Sequence, residues 1–159
     1  MATGLFALCL AGHAAAADAD PYAPLRLLDG KWEVTGADGK IMHLENRCAR
    51  TGLFYACEQA VGGKSGDLVV YLPRDAADGR QTYVTQTLMA DGAAPGSWFH
   101  LTIDGDRWIY SATGTDKDRE RTLNRFDGKD HIRFDIQTSK DGVTWTTTQA
   151  GAERREPAP

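Results

Sequence analysis

Short stretches rich in Thr, Val, Ile and aromatic residues recur along the chain, and polar turns separate them. Within these stretches apolar and polar residues tend to alternate, which is typical of β-strands with one buried face. The turns carry a repeated Asp-Gly pair, at residues 29–30, 38–39, 78–79, 91–92, 104–105, 127–128 and 141–142. Asp-Gly tolerates the positive φ angles of tight hairpin turns. The pattern therefore predicts an antiparallel meander.

The same pattern divides the chain into about ten strands. They are predicted at residues 31–36, 40–48, 53–61, 67–72, 80–90, 97–103, 107–113, 119–126, 130–138 and 143–151. About ten meandering strands in one small domain would curl or close, and closure removes the exposed strand edges. We therefore predict an all-β fold, an antiparallel up-and-down barrel, with a two-sheet sandwich as the alternative.

Segments of different composition flank the predicted barrel, which spans residues 31–152. Residues 18–30 form a polar leader and a short helical segment of one or two turns, which Gly30 is predicted to end. Residues 153–159 are polar and contain two prolines, so they are predicted to be a disordered tail.

The first 17 residues have the pattern of a secretory signal peptide. An apolar run at residues 4–11 is followed by small residues at 14–17, and cleavage is expected near residues 15–17. The alternative is an apolar N-terminal helix that stays attached. Cleavage would remove Cys9, and we expect a mature protein in the periplasm or secreted from the cell.

Cys48 and Cys57 then remain as a pair. If Gly52-Leu53 forms a two-residue turn, the two cysteines face each other at a non-hydrogen-bonded position, where Cα atoms lie about 4.5 Å apart. That distance permits a disulfide, and the same register places Arg47 opposite Glu58. We predict a cross-strand disulfide formed in an oxidising compartment. A redox-active pair or a metal site fits less well, because there is no C-x-x-C and no accompanying histidine cluster.

Two segments resemble calycin-like barrels, the group that includes lipocalins and fatty-acid-binding proteins. Residues 28–32, Leu-Asp-Gly-Lys-Trp after a short helical segment, are similar to the start of the first strand in such barrels. Residues 139–155 combine Ser-x-Asp-Gly-x-x-Trp with a later Gly-x-Glu-Arg-Arg, and resemble small exported bacterial barrels of unknown function. The resemblance covers most of the mature chain. It implies a calycin-like fold more than any activity.

The function then depends on whether the barrel interior is packed or hollow, since small barrels hold side chains or one small ligand. A turn at Asp104-Gly105 would place four apolar side chains on one face by pairing Leu101 with Trp108 and Phe99 with Tyr110. Aromatic rings with a polar edge suit amphipathic ligands, although core packing explains most individual rings equally well. The aromatic candidates for a ligand site are Tyr55, Phe99, Trp108, Tyr110 and Trp145.

Three polar residues are further candidates. Asn46 and Gln59 are predicted to face inward beside the disulfide, where they would orient a ligand, bind water or cap a barrel end, because buried amides need partners. If Asp127-Gly128 forms a two-residue turn, Arg121 lies opposite Phe134 and also faces inward, where it would bind a ligand carboxylate. A turn longer by one residue would direct Arg121 to solvent. The desolvation cost favours this solvated or structural role.

Composition and motifs exclude several other functions. The 159-residue chain has a net charge of −4 and scattered Lys and Arg, so we expect neither nucleic acid nor a membrane as a partner. The histidines form no evident metal or haem site, and residues 62–66 lack the full phosphate-loop pattern. No nucleophile constellation is present. We therefore expect no enzymatic activity, no cofactor and a monomer.

These observations favour an exported barrel that binds a small apolar or amphipathic molecule without catalysis. The alternative is an exported protein-interaction barrel, for example a protease inhibitor that presents residues 17–24 to an enzyme cleft. An enzyme is the third hypothesis.

Overall fold

A computed structural model describes residues 20–74, 80–95, 98–112 and 119–157. Within these residues ten antiparallel strands form a closed barrel, in which each strand pairs with its sequence neighbours and β1 also pairs with β10. The predicted all-β up-and-down barrel is confirmed. A 3₁₀ turn at Pro24–Leu28 precedes β1 (Gly30–Gly36), β2 (Ile41–Thr51), β3 (Phe54–Val61), β4 (Lys64–Arg74), β5 (Gln81–Leu88), β6 (Phe99–Asp104), β7 (Arg107–Ala112), β8 (Arg119–Asp127), β9 (His131–Ser139) and β10 (Thr146–Arg155).

The predicted signal peptide, residues 1–17, lies outside the described residues. The described part of the chain contains no helix long and apolar enough to cross a membrane.

The 3₁₀ turn closes one end of the barrel, which we call the capped end. Leu25 is fully buried there, and the carbonyl of Leu28 accepts hydrogen bonds from Trp32 Nε1 and Asn46 Nδ2, both at 3.1 Å. The hydroxyl of Tyr22 donates to the carbonyl of Leu53 at 2.5 Å. Most of the large core side chains lie below this turn, among them Tyr55, Tyr83, Leu101, Ile103, Trp108 and Phe126. These buried side chains form the hydrophobic core at the capped end.

The C-terminal boundary predicted at residue 152 is wrong, because β10 continues to Arg155. The guanidinium of Arg155 stacks 4.1 Å from the centre of the Trp32 ring. It also donates hydrogen bonds to the carbonyls of Leu27, at 2.7 Å, and of Asp29. Arg155, which the polar composition had assigned to a disordered tail, instead donates hydrogen bonds to backbone carbonyls of the capped end.

The β2–β3 hairpin has the predicted register. Gly52 has φ +59° at the first position of a two-residue turn, and the positive φ there is what Gly supplies. Cys48 lies opposite Cys57 with a Cα–Cα distance of 4.0 Å, and the two form a disulfide. Arg47 lies opposite Glu58, with a nitrogen–oxygen distance of 4.0 Å. The predicted cross-strand disulfide is confirmed.

Two other hairpins differ from the predicted register. The β6–β7 turn is Gly105-Asp106 rather than Asp104-Gly105, so Leu101 lies opposite Tyr110, not Trp108. This two-residue shift keeps every side chain on its predicted face. Between β8 and β9, Asp127 pairs with His131 across a three-residue loop, which places Arg121 opposite Gln137 rather than Phe134.

A close approach of strands at Gly151 provides a test of the packing between β1, β9 and β10. Gly151 lies opposite Gly36 and Phe134, and a Cβ at Gly151 would lie 2.5 Å from the Phe134 ring and from the Thr35 carbonyl oxygen. We expect Gly151→Ala to lower the free energy of unfolding by about 1–3 kcal/mol through overpacking. Urea denaturation measures the loss.

Gly36→Ala is the matched control for Gly151→Ala. Gly36 faces Gly151 across the strand pair, but its added methyl group would meet only the exposed carboxylate of Asp38. Because the Asp38 side chain can move aside, this contact should cost little free energy of unfolding. Ala is also favoured over Gly in a strand by roughly 0.5–1 kcal/mol. Equal losses in the two variants would contradict the packing described for Gly151.

Candidate functional site

The barrel interior is hollow above the capped end. A cavity of about 270 Å³ lies there, lined by side chains from β2 to β10 and by Leu28 of the 3₁₀ turn. Its apolar wall consists of Leu28, Leu44, Cys57, Val69, Phe99 and Ile132. Its polar wall consists of Asn46, Gln59, Tyr71, Thr85, Thr87, Tyr110, Thr122, Asn124 and Glu153. The cavity thus combines apolar surface with a larger number of polar residues than of apolar ones.

Asn46 and Gln59 lie in the cavity wall, but their amides are engaged with the protein. Gln59 Nε2 donates to Asn46 Oδ1 at 3.2 Å, and Asn46 Nδ2 donates to the Leu28 carbonyl. Of the three roles considered from the sequence, the structure assigns Asn46 to capping the barrel end. Gln59 supports Asn46 and contributes surface to the cavity.

Tyr71 and Tyr110 place two phenol groups in the cavity wall. Burial raises the pKa of Tyr71 to about 12, and raises the pKa of Tyr110 well above its usual value. Interaction with Tyr71 and the charge of Glu153 add to the shift in the pKa of Tyr110. Both phenols therefore stay neutral near neutral pH and keep their O–H donors.

Glu153 places a carboxyl group inside the barrel. It lies between Val34 of β1 and Ile132 of β9, and burial raises the pKa of its carboxyl group to about 7. Among the described residues, none donates a hydrogen bond to Glu153 or forms an ion pair with it. The residue is half-buried, and withdrawing a carboxylate from water without a partner is costly. This makes Glu153 the most unusual residue of the cavity.

Asn124 of β8 adds a second acceptor to the same wall. Its Oδ1 atom is buried and accepts no hydrogen bond from any described residue, although buried amide oxygens are nearly always paired. The sequence analysis missed both Glu153 and Asn124. The alternation of residues 151, 153 and 155 could have shown that Glu153 shares a face with its strand neighbours. This alternation was not recognised, because residues 153–159 were assigned to the disordered tail.

Two of the sequence candidates lie away from the cavity. The guanidinium of Arg121 stacks 4.0 Å from the centre of the Trp145 ring, and its Nε donates to Gln137 Oε1 at 2.7 Å. Thr122 and Asn124 line the cavity, so strand alternation puts Arg121 on the outer face. The inward orientation considered for Arg121 required a two-residue turn, and the longer loop after Asp127 removes it.

The remaining candidates divide between core and cavity. Tyr55 and Trp108 are buried at the capped end, outside the cavity lining. Phe99 and Tyr110 line the cavity, as do Asn46 and Gln59. The structure thus brings together four of the eight predicted ligand-binding residues.

The described part of the segment proposed for protein interaction packs against the barrel. Tyr22 is buried, with its ring stacked on that of Tyr55 at a centroid distance of 6.0 Å. The carbonyl of Pro21 accepts a hydrogen bond from the Tyr83 hydroxyl. Residues 17–19 lie outside the described residues. No observation here favours presentation of this segment to an enzyme cleft.

The described ranges contain no group of three or more His, Cys, Asp or Glu side chains placed to hold a metal ion.

No known protein family and no curated protein matches the sequence. Among solved structures, the chain is similar to EF1p2_mFAP2b in its structure bound to DFHBI, with 16% sequence identity and a TM-score of 0.33. The match covers 83% of this chain and 96% of that chain. A likeness this distant carries no argument about function, which rests on the cavity itself.

Proposed function

We propose that this protein is an exported, calycin-like barrel that binds one small apolar or amphipathic molecule in its interior and performs no catalysis. The observation that carries the proposal is the cavity of about 270 Å³, which has an apolar wall of six residues and a polar wall of nine. The disulfide between Cys48 and Cys57 supports export, because structural disulfides persist in oxidising compartments.

The volume of the cavity limits the size of the ligand. Ligand pockets for drug-sized molecules begin near 300 Å³, whereas an engineered apolar cavity of about 150 Å³ holds benzene. A cavity of about 270 Å³ therefore suits a molecule with one ring and a short polar arm. Long-chain fatty acids exceed this volume. Because the capped end is packed, we propose that the ligand enters from the opposite end.

Two measurements test this function. Native mass spectrometry of the mature chain recovered from the periplasm is expected to show a discrete small molecule, which is lost on denaturation. Titration of the emptied protein with 2-phenylethanol, followed by protein NMR, is expected to show one saturable site with a dissociation constant of about 1 mM or tighter. The shifts should concentrate at Leu44, Val69 and Phe99, which line the cavity.

A variant that fills the cavity provides the matched control. Thr122→Phe adds a ring to the cavity wall, and it is expected to weaken 2-phenylethanol binding at least tenfold. Thr102→Phe makes the same change on β6, at a position that alternates with the inward-facing Leu101 and Ile103, and is expected to leave binding unchanged. If native mass spectrometry shows the bare chain and 2-phenylethanol produces no saturable shifts, the interior does not function as a binding site.

A further inference from the structure

We propose that two groups of the cavity lining, the carboxylate of Glu153 and the Oδ1 atom of Asn124, select a ligand that carries a protonated amine. The apolar body of that ligand packs against Leu44, Val69 and Phe99. This inference rests on the proposed function and adds to it the chemical class of the ligand.

Glu153 and Asn124 contribute acceptor atoms to the cavity lining that no described residue bonds. The amides of Asn46 and Gln59 each direct a donor at a protein oxygen. Asn124 Oδ1 is a buried acceptor that no described donor reaches. A ligand group that pairs with these two acceptors must bring donors, and an alkylammonium group brings three donors and no acceptor.

The charge of the cavity points to the same ligand. Glu153 faces Val34 and Ile132 on the adjacent strands, and Tyr71 and Tyr110 are the other titratable side chains of the lining. None of these four neighbouring side chains, Val34, Ile132, Tyr71 and Tyr110, carries a positive charge.

Arg155, the cation two residues along β10, stacks on Trp32 and donates to carbonyls of the capped end. Glu153 also shares a groove with His131, Arg133 and Arg154, but no described cation lowers the pKa of its carboxyl group. A ligand ammonium would offset the charge of Glu153, whereas a ligand carboxylate would be repelled by it.

Three probes of one size and different charge test the inference. They are 2-phenylethylamine, 2-phenylethanol and phenylacetate, titrated into the emptied full-length mature protein at pH 8 by calorimetry. We expect the amine to bind at least tenfold more tightly than the alcohol, and phenylacetate to bind most weakly. In Glu153→Gln the advantage of the amine over the alcohol should fall below about twofold, because the charge is gone while the shape is kept.

Glu33→Gln is the matched control for charge. It removes one negative charge from β1 on the outer face, where Glu33 pairs with Arg154, and should preserve the advantage of the amine. The wild-type protein supplies a further measurement that needs no variant. Because the pKa of Glu153 is about 7, amine affinity should rise about tenfold from pH 6 to pH 8, while alcohol affinity stays constant.

The possible outcomes separate the two proposals. If the three probes bind equally, or if phenylacetate binds most tightly, or if Glu153→Gln keeps the preference for the amine, the ammonium selectivity is overturned and the binding function stands. If none of the three probes binds, both proposals are overturned.

Discussion

The Arg155→Ala variant is expected to lose about 3–5 kcal/mol of its free energy of unfolding. The reason is the number of groups that one guanidinium satisfies. It donates to the carbonyls of Leu27, Asp29 and Lys129 and forms an ion pair with Asp130, with a nitrogen–oxygen distance of 3.3 Å. Hydrogen bonds that involve a charged group contribute about 1.5–3 kcal/mol each, and their loss leaves carbonyls without partners.

The loss of Arg155 also removes packing. Its guanidinium covers the ring of Trp32, and stacking of this kind contributes roughly 0.5–2 kcal/mol depending on desolvation. Because Leu27 and Asp29 flank the last residue of the 3₁₀ turn, we expect the capped end to loosen as well. Hydrogen exchange of the Trp32 indole proton, which is bonded to the Leu28 carbonyl, should accelerate in the variant.

Arg154→Ala provides the comparison for Arg155→Ala in a denaturant titration. Arg154 is the neighbouring residue, and its side chain is 64% exposed in an ion pair with Glu33. Exposed ion pairs contribute about 0–1 kcal/mol, so this variant should unfold almost as the wild type does. Similar losses from Arg154→Ala and Arg155→Ala would show that Arg155 does not hold the capped end as described.

The ligand-free protein is expected to become less stable as the pH rises from 5 to 8, by up to about 3 kcal/mol through Glu153 alone. Burial raises the pKa of this carboxyl from 4.5 to about 7 in the folded protein. Between these values the folded state keeps a proton that the unfolded state has lost, so raising the pH favours unfolding. The contribution of Glu153 is fully present below pH 4.5 and is lost by pH 7 and above.

Glu153→Gln isolates this contribution from other titrating groups. The variant should match the wild type near pH 5 and be more stable than the wild type at pH 8, because its amide stays neutral. Chemical denaturation of both proteins at several pH values between 5 and 8 gives the difference directly. A wild type and a variant whose difference in stability stays constant over this range would show that Glu153 ionises as an exposed carboxyl does.

The parts of the structure that sequence alone predicted are those that local turn chemistry determines. Gly52 permits one short turn, and that turn dictates the register of β2 and β3 and thus the Cys48–Cys57 disulfide. The length of the loop after Asp127 was harder to predict, because Asp-Gly is compatible with two- and three-residue turns. The difference of one residue decided the orientation of Arg121.

The candidate site was less predictable than the fold. Phe99 and Tyr110 were found because aromatic residues on one face of a hairpin indicate the barrel interior. Glu153 was not found, because a charged residue near the end of a sequence ordinarily indicates solvent exposure. Its position depends on the pairing of β10 with β1, which joins residues about 120 positions apart. No local pattern reports a contact of that range.

That long-range pairing also has a consequence for biosynthesis. β10 is the last strand to leave the ribosome, and it carries both Glu153 and Arg155. Before β10 pairs with β1, the nascent chain lacks the carboxyl group of Glu153 in the cavity lining. It also lacks the hydrogen bonds from Arg155 to the carbonyls of the capped end. The sheet is then still open, with unpaired edges on β1 and β9. The complete cavity lining and the final closure of the fold therefore arise in the same step, when the first and last strands of the barrel meet.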